Sequence, residues 1–160
     1  MKLLITLVLA VLISAFGCGE ESKGDQSSSA NNSAKERIAE KLGITVFELD
    51  NGVGPIKEKL QISADIDKIM AESGKKIFDA KCVQCHKMDE RYTGPALRDV
   101  TQRRSPEYVM NMVLNPQEMT QKHPEAKKLL AMYANQMTFQ NVTQEDTRAL
   151  LEYLRMEANH

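Results

Sequence analysis

Tryptophan is absent from this sequence, and phenylalanine and tyrosine number only four each. A domain with so few bulky side chains cannot easily close its own centre, so something other than protein is expected to fill part of the core. Long apolar stretches are nearly missing as well. The one run, Leu3 to Ile13, is too short to remain in a bilayer as a spanning helix. No charge of one sign dominates, with 21 basic against 22 acidic side chains. That balance removes the basic footprint of a nucleic-acid binder, and no nucleic-acid partner is expected. Cysteines and histidines are scarce, three of each. There is no internal repeat, and 160 residues leave room for one domain plus extensions.

What is present begins with an export signal over residues 1–17. Met1-Lys2 gives a positive start, the apolar run follows, and Ser14-Ala15-Phe16-Gly17 brings small residues up to Cys18. The site resembles the lipobox of bacterial lipoproteins, although Ala15 stands where that motif usually has Leu. The resemblance implies that Cys18 is lipidated and becomes the mature N-terminus; an ordinary signal peptide cut nearby is the other reading. Several acyl chains on one cysteine hold a protein durably on a membrane. Residues 19–35 contain Ser, Asn, Gly and charge but no apolar residue larger than Ala. Residues 18–35 are therefore expected to be a lipidated cysteine and flexible tether, holding the domain on the periplasmic side of a bacterial membrane.

Residues 36–62 read as a wrapping extension. RIAEKLGI suggests a short helix, TVFEL a short strand, and Asn51-Gly52 and Gly54-Pro55 mark turns. The main domain is expected over 63–160. Ser63 is a candidate N-cap, and Ile66, Ile69, Met70, Ile77 and Phe78 recur on one face of a helix running to about Ala80. Gly74 interrupts that stripe at a cost of about 1 kcal/mol relative to Ala, which close approach of another backbone would explain. Ser105-Pro106 opens a second helix through Tyr108, Val109, Met112 and Val113, ended by Asn115-Pro116. Pro124 opens another through Leu129, Leu130 and Tyr133. Thr143 caps a last helix with Asp146 in its first turn, ahead of Leu150, Leu151, Tyr153 and Leu154. Helices without a convincing sheet place the chain in the all-α class.

The chemistry concentrates at Cys82-Val83-Gln84-Cys85-His86. A redox dithiol uses the same spacing but follows a strand in a βαβ unit, which is not evident here. A structural zinc site needs four ligands, and beyond these three only His123, His160 and carboxylates remain. Covalent haem attachment uses every specified residue: two thiols add to the haem vinyl groups, and the adjacent histidine is held under the iron. Export agrees, because haem of this type is attached outside the cytoplasm.

From about Asp65 to Glu157 the chain resembles the class I cytochromes c. GKKIFDAKCVQCH (74–86) is similar to their N-terminal helix and haem-binding segment, TGPALRDVTQRR (93–104) to the loop that follows, and VTQEDTRALLEYL (142–154) to their C-terminal helix. The resemblance implies one covalent haem c and a crossing of the two terminal helices, with Gly74 and Phe78 facing Leu150, Tyr153 and Leu154. It also implies that the Pro95 carbonyl accepts the Nδ1 proton of His86, that Leu97 packs on the haem, and that Arg103 approaches a propionate. The sixth iron ligand is then expected to be Met137, in the irregular stretch ANQMTFQN before the last helix. Thr138 follows it where many relatives have Pro. Met110, Met119 and Met132 stay open, and His123 is the alternative that is not a methionine.

Two axial ligands leave no substrate position, so the expectation is single-electron transfer through the exposed haem edge and no enzymatic activity. Lys75, Lys76, Lys81, Lys87, Arg91, Arg98, Arg103 and Arg104 form either a basic docking rim or an ordinary solvated face. The expected partners are redox proteins, with a quinol-oxidising complex or another cytochrome as donor and a terminal reductase as acceptor. NGVGPIKEKL and RRSPEYVMNMVLNPQEM are similar to small lipoprotein cytochromes c that occur with nitrous oxide reductase. A haem enzyme or ligand sensor with an open distal side, and a haem subunit fixed in one complex, are the competing readings.

Overall fold

The computed structural model describes residues 24–159; the expected export signal and Cys18 lie outside them. Eight helices follow in order: α1 (Gly24–Leu42), α2 (Val46–Asn51), α3 (Lys68–Lys81), α4 (Val100–Arg103), α5 (Pro106–Leu114), α6 (Pro116–Lys122), α7 (Pro124–Tyr133) and α8 (Gln144–Glu157). No strand occurs among the described residues, in agreement with the all-α expectation.

The crossing of α3 and α8 is the largest helix contact and organises the domain. At Gly74 the two backbones meet, because a Cβ there would overlap the carbonyl of Ala149. Phe78, one turn on, lies against Tyr153 with ring centroids 5.4 Å apart. Leu150, Leu151 and Leu154 complete this core together with Ile56, Val109 and Met110. The buried face of α3 is Ala71, Gly74 and Phe78, and Ile69 is 80% exposed. The expected stripe was therefore misplaced at Ile69, because side-chain size does not decide which face meets a partner whose backbone must come close.

Three further boundaries differ from expectation. Asp67, not Ser63, caps α3, its Oδ1 accepting from the Met70 amide at 3.0 Å. TVFEL is helical: Thr45 and Glu48 form a reciprocal capping box, which outweighs the strand preference of Val46 and Phe47. Residues 24–35, expected to be slack, belong to α1. This segment has no proline and is rich in Ser, Ala and Asn, so nothing in it forbids a helix even though it has no face to bury. The caps of α5 at Ser105 and of α8 at Thr143 stand as read. Asn115-Pro116 both ends α5 and starts α6.

Residues 51–60 lie across α5 and are held by its polar side chains. Asn111, fully buried, accepts from the Ile56 amide at 2.9 Å, and its amide nitrogen reaches the carbonyls of Asn51, Gly52 and Ile56 at 3.0 to 3.1 Å. Glu107 accepts from the Leu60 amide at 2.8 Å. Each is a buried polar group whose partners are backbone atoms about fifty residues away, so they pin the extension to the domain.

Candidate functional site

Helix α3 ends at Lys81, and the chain turns through Cys82 to His86 on short backbone bonds, the His86 amide reaching the Cys82 carbonyl at 2.9 Å. This turn opens onto a cavity of about 450 Å³, within the range of cofactor sites. Cys82, Cys85, His86, Pro95, Leu97, Arg103 and Met137 all line it. The residues expected to touch the haem, with Met137 as the first choice of sixth ligand, are thus brought to one place.

His86 Nδ1 lies 3.0 Å from the Pro95 carbonyl. That bond fixes the proton on Nδ1 and leaves Nε2 as the free ligand atom. Burial pushes the imidazole below its ordinary value, the Pro95 carbonyl opposing weakly, so the ring is neutral as a metal ligand requires. Gly94 is part of the same arrangement. A Cβ there would stand 2.5 Å from His86 Cε1, so the ring fills the space a side chain would need.

Cys82 and Cys85 form no disulfide. Burial pushes the Cys82 thiol up to about 11, the reverse of a reactive dithiol, which depends on a depressed thiolate value. No group of three or more His, Cys, Asp or Glu among the described residues converges as a metal-ion site, so the zinc reading has no geometry behind it.

The remaining wall is mostly apolar, including Phe78, Val109, Val113, Leu130, Leu150 and Leu154. At one point it is not. Tyr108 lines the cavity, and its buried hydroxyl has no hydrogen-bond partner. Burial raises its pKa, keeping the phenol as a donor. Arg104 lies over the ring, 4.9 Å from its centroid, and pairs with Glu125 at 3.0 Å. An apolar slot with two thiols and a neutral imidazole at one end and an unsatisfied donor beside a guanidinium fits a flat macrocycle carrying carboxylates. Arg103 also lines the slot while gripping Asp99 at 2.8 and 2.9 Å. Nothing in the sequence marks Tyr108 beyond its place on an apolar stripe, whereas Gly94 is marked as the residue before Pro95.

Two methionines line the cavity, Met112 and Met137. Met110 is core, 1% exposed, and Met119 is fully buried with its sulfur accepting from the Val53 amide at 2.9 Å. Met132 is 58% exposed. His123 does not line the cavity; its Nε2 donates to the Leu49 carbonyl at 3.0 Å and its Nδ1 accepts from the Glu125 amide at 3.2 Å, so both ring nitrogens are occupied in capping α7. The histidine alternative for the sixth ligand has no support in this geometry.

Residues 71–156, more than half of the chain, match the family model for cytochrome c. The chain belongs to the cytochrome c family. Its members carry one covalent haem c and transfer electrons. A cytochrome c from Rhodothermus marinus is 45% identical, covering 70% of this chain and 96% of its own, with a TM-score of 0.67. An engineered form of that cytochrome, bound to a carbene intermediate, is 43% identical with a TM-score of 0.65, over 71% of this chain and 97% of its own. A cytochrome c-553-like protein of Synechocystis is 31% identical over 91 residues, which are 49% of this chain and 82% of that one. In this cytochrome, Cys82, Cys85 and His86 are the residues that match the family's Cys-x-x-Cys-His pentad.

Of the eight cations expected around the site, four are in ion pairs: Lys75 with Asp79, Arg98 with Asp89 and Glu157, Arg103 with Asp99, and Arg104 with Glu125. Lys76, Lys81, Lys87 and Arg91 have no carboxylate partner among the described residues. Near them Tyr92, Met132 and Phe139 are exposed, and Lys87 lies over the Tyr92 ring.

Proposed function

We propose that this cytochrome is lipid-anchored through Cys18 on the periplasmic side of a bacterial membrane. It takes single electrons from a quinol-oxidising complex or another cytochrome and passes them to a terminal reductase. The observation that carries the electron-transfer mechanism is that Met137 lines the same cavity as Cys82, Cys85 and His86. Haem c supplies the one-electron iron chemistry. Cys82 and Cys85 would hold it, Pro95 keeps the His86 tautomer, and the Met137 thioether would take the position a substrate needs. The apolar wall excludes water, and Tyr108 and Arg104 offer a donor and a charge to carboxylates.

The acceptor reading has a separate support. NGVGPIKEKL and RRSPEYVMNMVLNPQEM, the two stretches similar to cytochromes occurring with nitrous oxide reductase, contain Asn51, Gly52 and Ile56 on one side and Asn111 on the other. They are bonded to each other through that asparagine and form one structural unit. A nitrous oxide reductase is the first acceptor to assay.

An ultraviolet-visible spectrum of the purified protein, oxidised and reduced, tests the ligand set. The weak far-red sulfur-to-iron band is expected in the ferric form, lost in Met137→Ala and kept in Met112→Ala. Ferric high-spin iron, or ready carbon monoxide binding by the ferrous form at neutral pH, would instead favour an open-site enzyme or sensor.

A further inference from the structure

The loop that carries Met137 has almost nothing holding it. Residues 135–142 make no backbone–backbone hydrogen bond among the described residues. The bonds of Gln140 to Thr138 are internal to the loop. Both of its borders sit at positive φ without glycine, Ala134 at 50° and Asn141 at 51°, a conformation unfavourable to a residue with a Cβ. Left to its own preferences, such a segment would sample open arrangements.

Two long cationic side chains of the haem-attachment segment reach this part of the chain, one to the loop itself and one to the end of α7 just before it. Lys81, immediately before Cys82, donates to the Gln140 carbonyl at 2.9 Å. This is the one hydrogen bond from residues 135–142 to the rest of the described protein. On the entry side, Arg91 donates to the Met132 carbonyl at 2.8 Å and lies over the Tyr133 ring, 4.4 Å from its centroid. Neither cation has a carboxylate partner among the described residues, so both are free to serve carbonyls. They grip the chain five residues before Met137 and three residues after it.

We propose that Arg91 and Lys81 are positioning residues that hold the Met137 loop closed over the cavity, setting how often the thioether leaves the iron. The proposal rests on Met137 being the sixth ligand. It makes the two faces of the site one device, since the segment that binds the porphyrin edge also latches the opposite ligand. Each tie is one charge-assisted hydrogen bond at a surface site, so its loss is expected to raise the open fraction about fivefold.

The test uses the full-length, haem-loaded protein and imidazole, which competes with Met137 in the ferric state. Apparent imidazole affinity scales with the open fraction. Lys81→Ala and Arg91→Ala are each expected to raise it about fivefold, with a proportionate change in the rate of far-red band loss on mixing. Lys81→Arg, which keeps a donor, is expected to restore the original affinity. Lys75→Ala, on the same helix but paired with Asp79, is expected to change nothing. Equal affinity in wild type and both alanine variants would overturn the proposal, as would an equal shift in Lys75→Ala. If Met137→Ala itself keeps the far-red band, the ligand assignment fails, and that outcome is separate from failure of the latch.

Discussion

Gly94 and His86 compete for the same volume, and the histidine wins only because the glycine has no side chain. Substituting Gly94→Ala is expected to push the His86 ring off its bond to Pro95, since the Cβ would lie 2.5 Å from Cε1. Overpacking of this kind costs about 1–3 kcal/mol where the structure can yield. Here the part that yields is a ligand. The expected readouts are a lower yield of haem-loaded protein and a lowered thermal midpoint, whereas an unchanged ferric spectrum and midpoint would show that the ring has room elsewhere. At this scale the sequence was legible wherever covalent chemistry fixes residue types at fixed spacing, as in Cys82, Cys85 and His86. Tyr108 and Asn111 were not legible, because their significance lies in what faces them from distant parts of the chain: an empty donor position in one case, three carbonyls of residues 51–56 in the other.

Between elements, the contact of α3 with α8 depends on the missing Cβ at Gly74. Gly74→Ala is expected to cost about 3 kcal/mol by forcing the helices apart, with a matching fall in the denaturation midpoint. A change below about 1 kcal/mol would mean that the crossing adjusts freely. The helix pair is also tied to the segment before α3 by Glu152. Its carboxylate is fully buried and meets Arg148, Arg155 and the Asp67 amide, the last at 3.0 Å. Burial alone would raise its pKa, but the Arg148 bond, the Asp67 amide and Arg155 outweigh this and hold it below the ordinary 4.5. A depressed carboxylate contributes its full stability above pH 4.5 and loses it as pH falls through the lower folded value. Thermal midpoints are therefore expected to drop below about pH 4.5. Glu152→Gln is expected to lose about 2 kcal/mol at pH 7 and to flatten that acid limb, and an acid limb as steep as wild type would place the sensitivity in other carboxylates. Helix caps containing Ser or Thr followed by an acid were readable here, at α5 and α8. At Thr45 and Glu48 the same signal lies among Val46 and Phe47, whose strand preference points the other way. Ile69 shows the limit of periodicity, because the face of α3 turned toward α8 is set by the close approach at Gly74 and combines Ala71 and Gly74 with Phe78.

For the molecule as a whole, the near-neutral charge conceals an uneven surface. Half of the cations near the site are cancelled by local ion pairs. What is left is Lys76, Lys81, Lys87 and Arg91, a smaller rim than the count of basic residues suggests. Electron transfer to an acidic partner is expected to slow about tenfold between 0.01 and 0.15 M salt, as the screening length falls from about 30 to about 8 Å. Lys76→Glu combined with Lys87→Glu should remove most of that dependence. A salt-insensitive wild-type rate would mean that docking relies on the apolar side chains Tyr92, Met132 and Phe139.

Helix α1 has a consequence for reach. Nineteen residues of helix are about 28 Å long at 1.5 Å each, and its end is seated in the domain through Ala39, 3% exposed, and the salt link of Lys35 to Asp50 at 2.7 Å. If Cys18 is the anchor, as proposed above, the cytochrome would not hang wholly on a slack cord. Residues 24–34 of the helix, ahead of that seat, would act as a stiff boom that sweeps the haem edge along an arc. An acceptor docked nearer the membrane than that arc would be served only if the boom folds down.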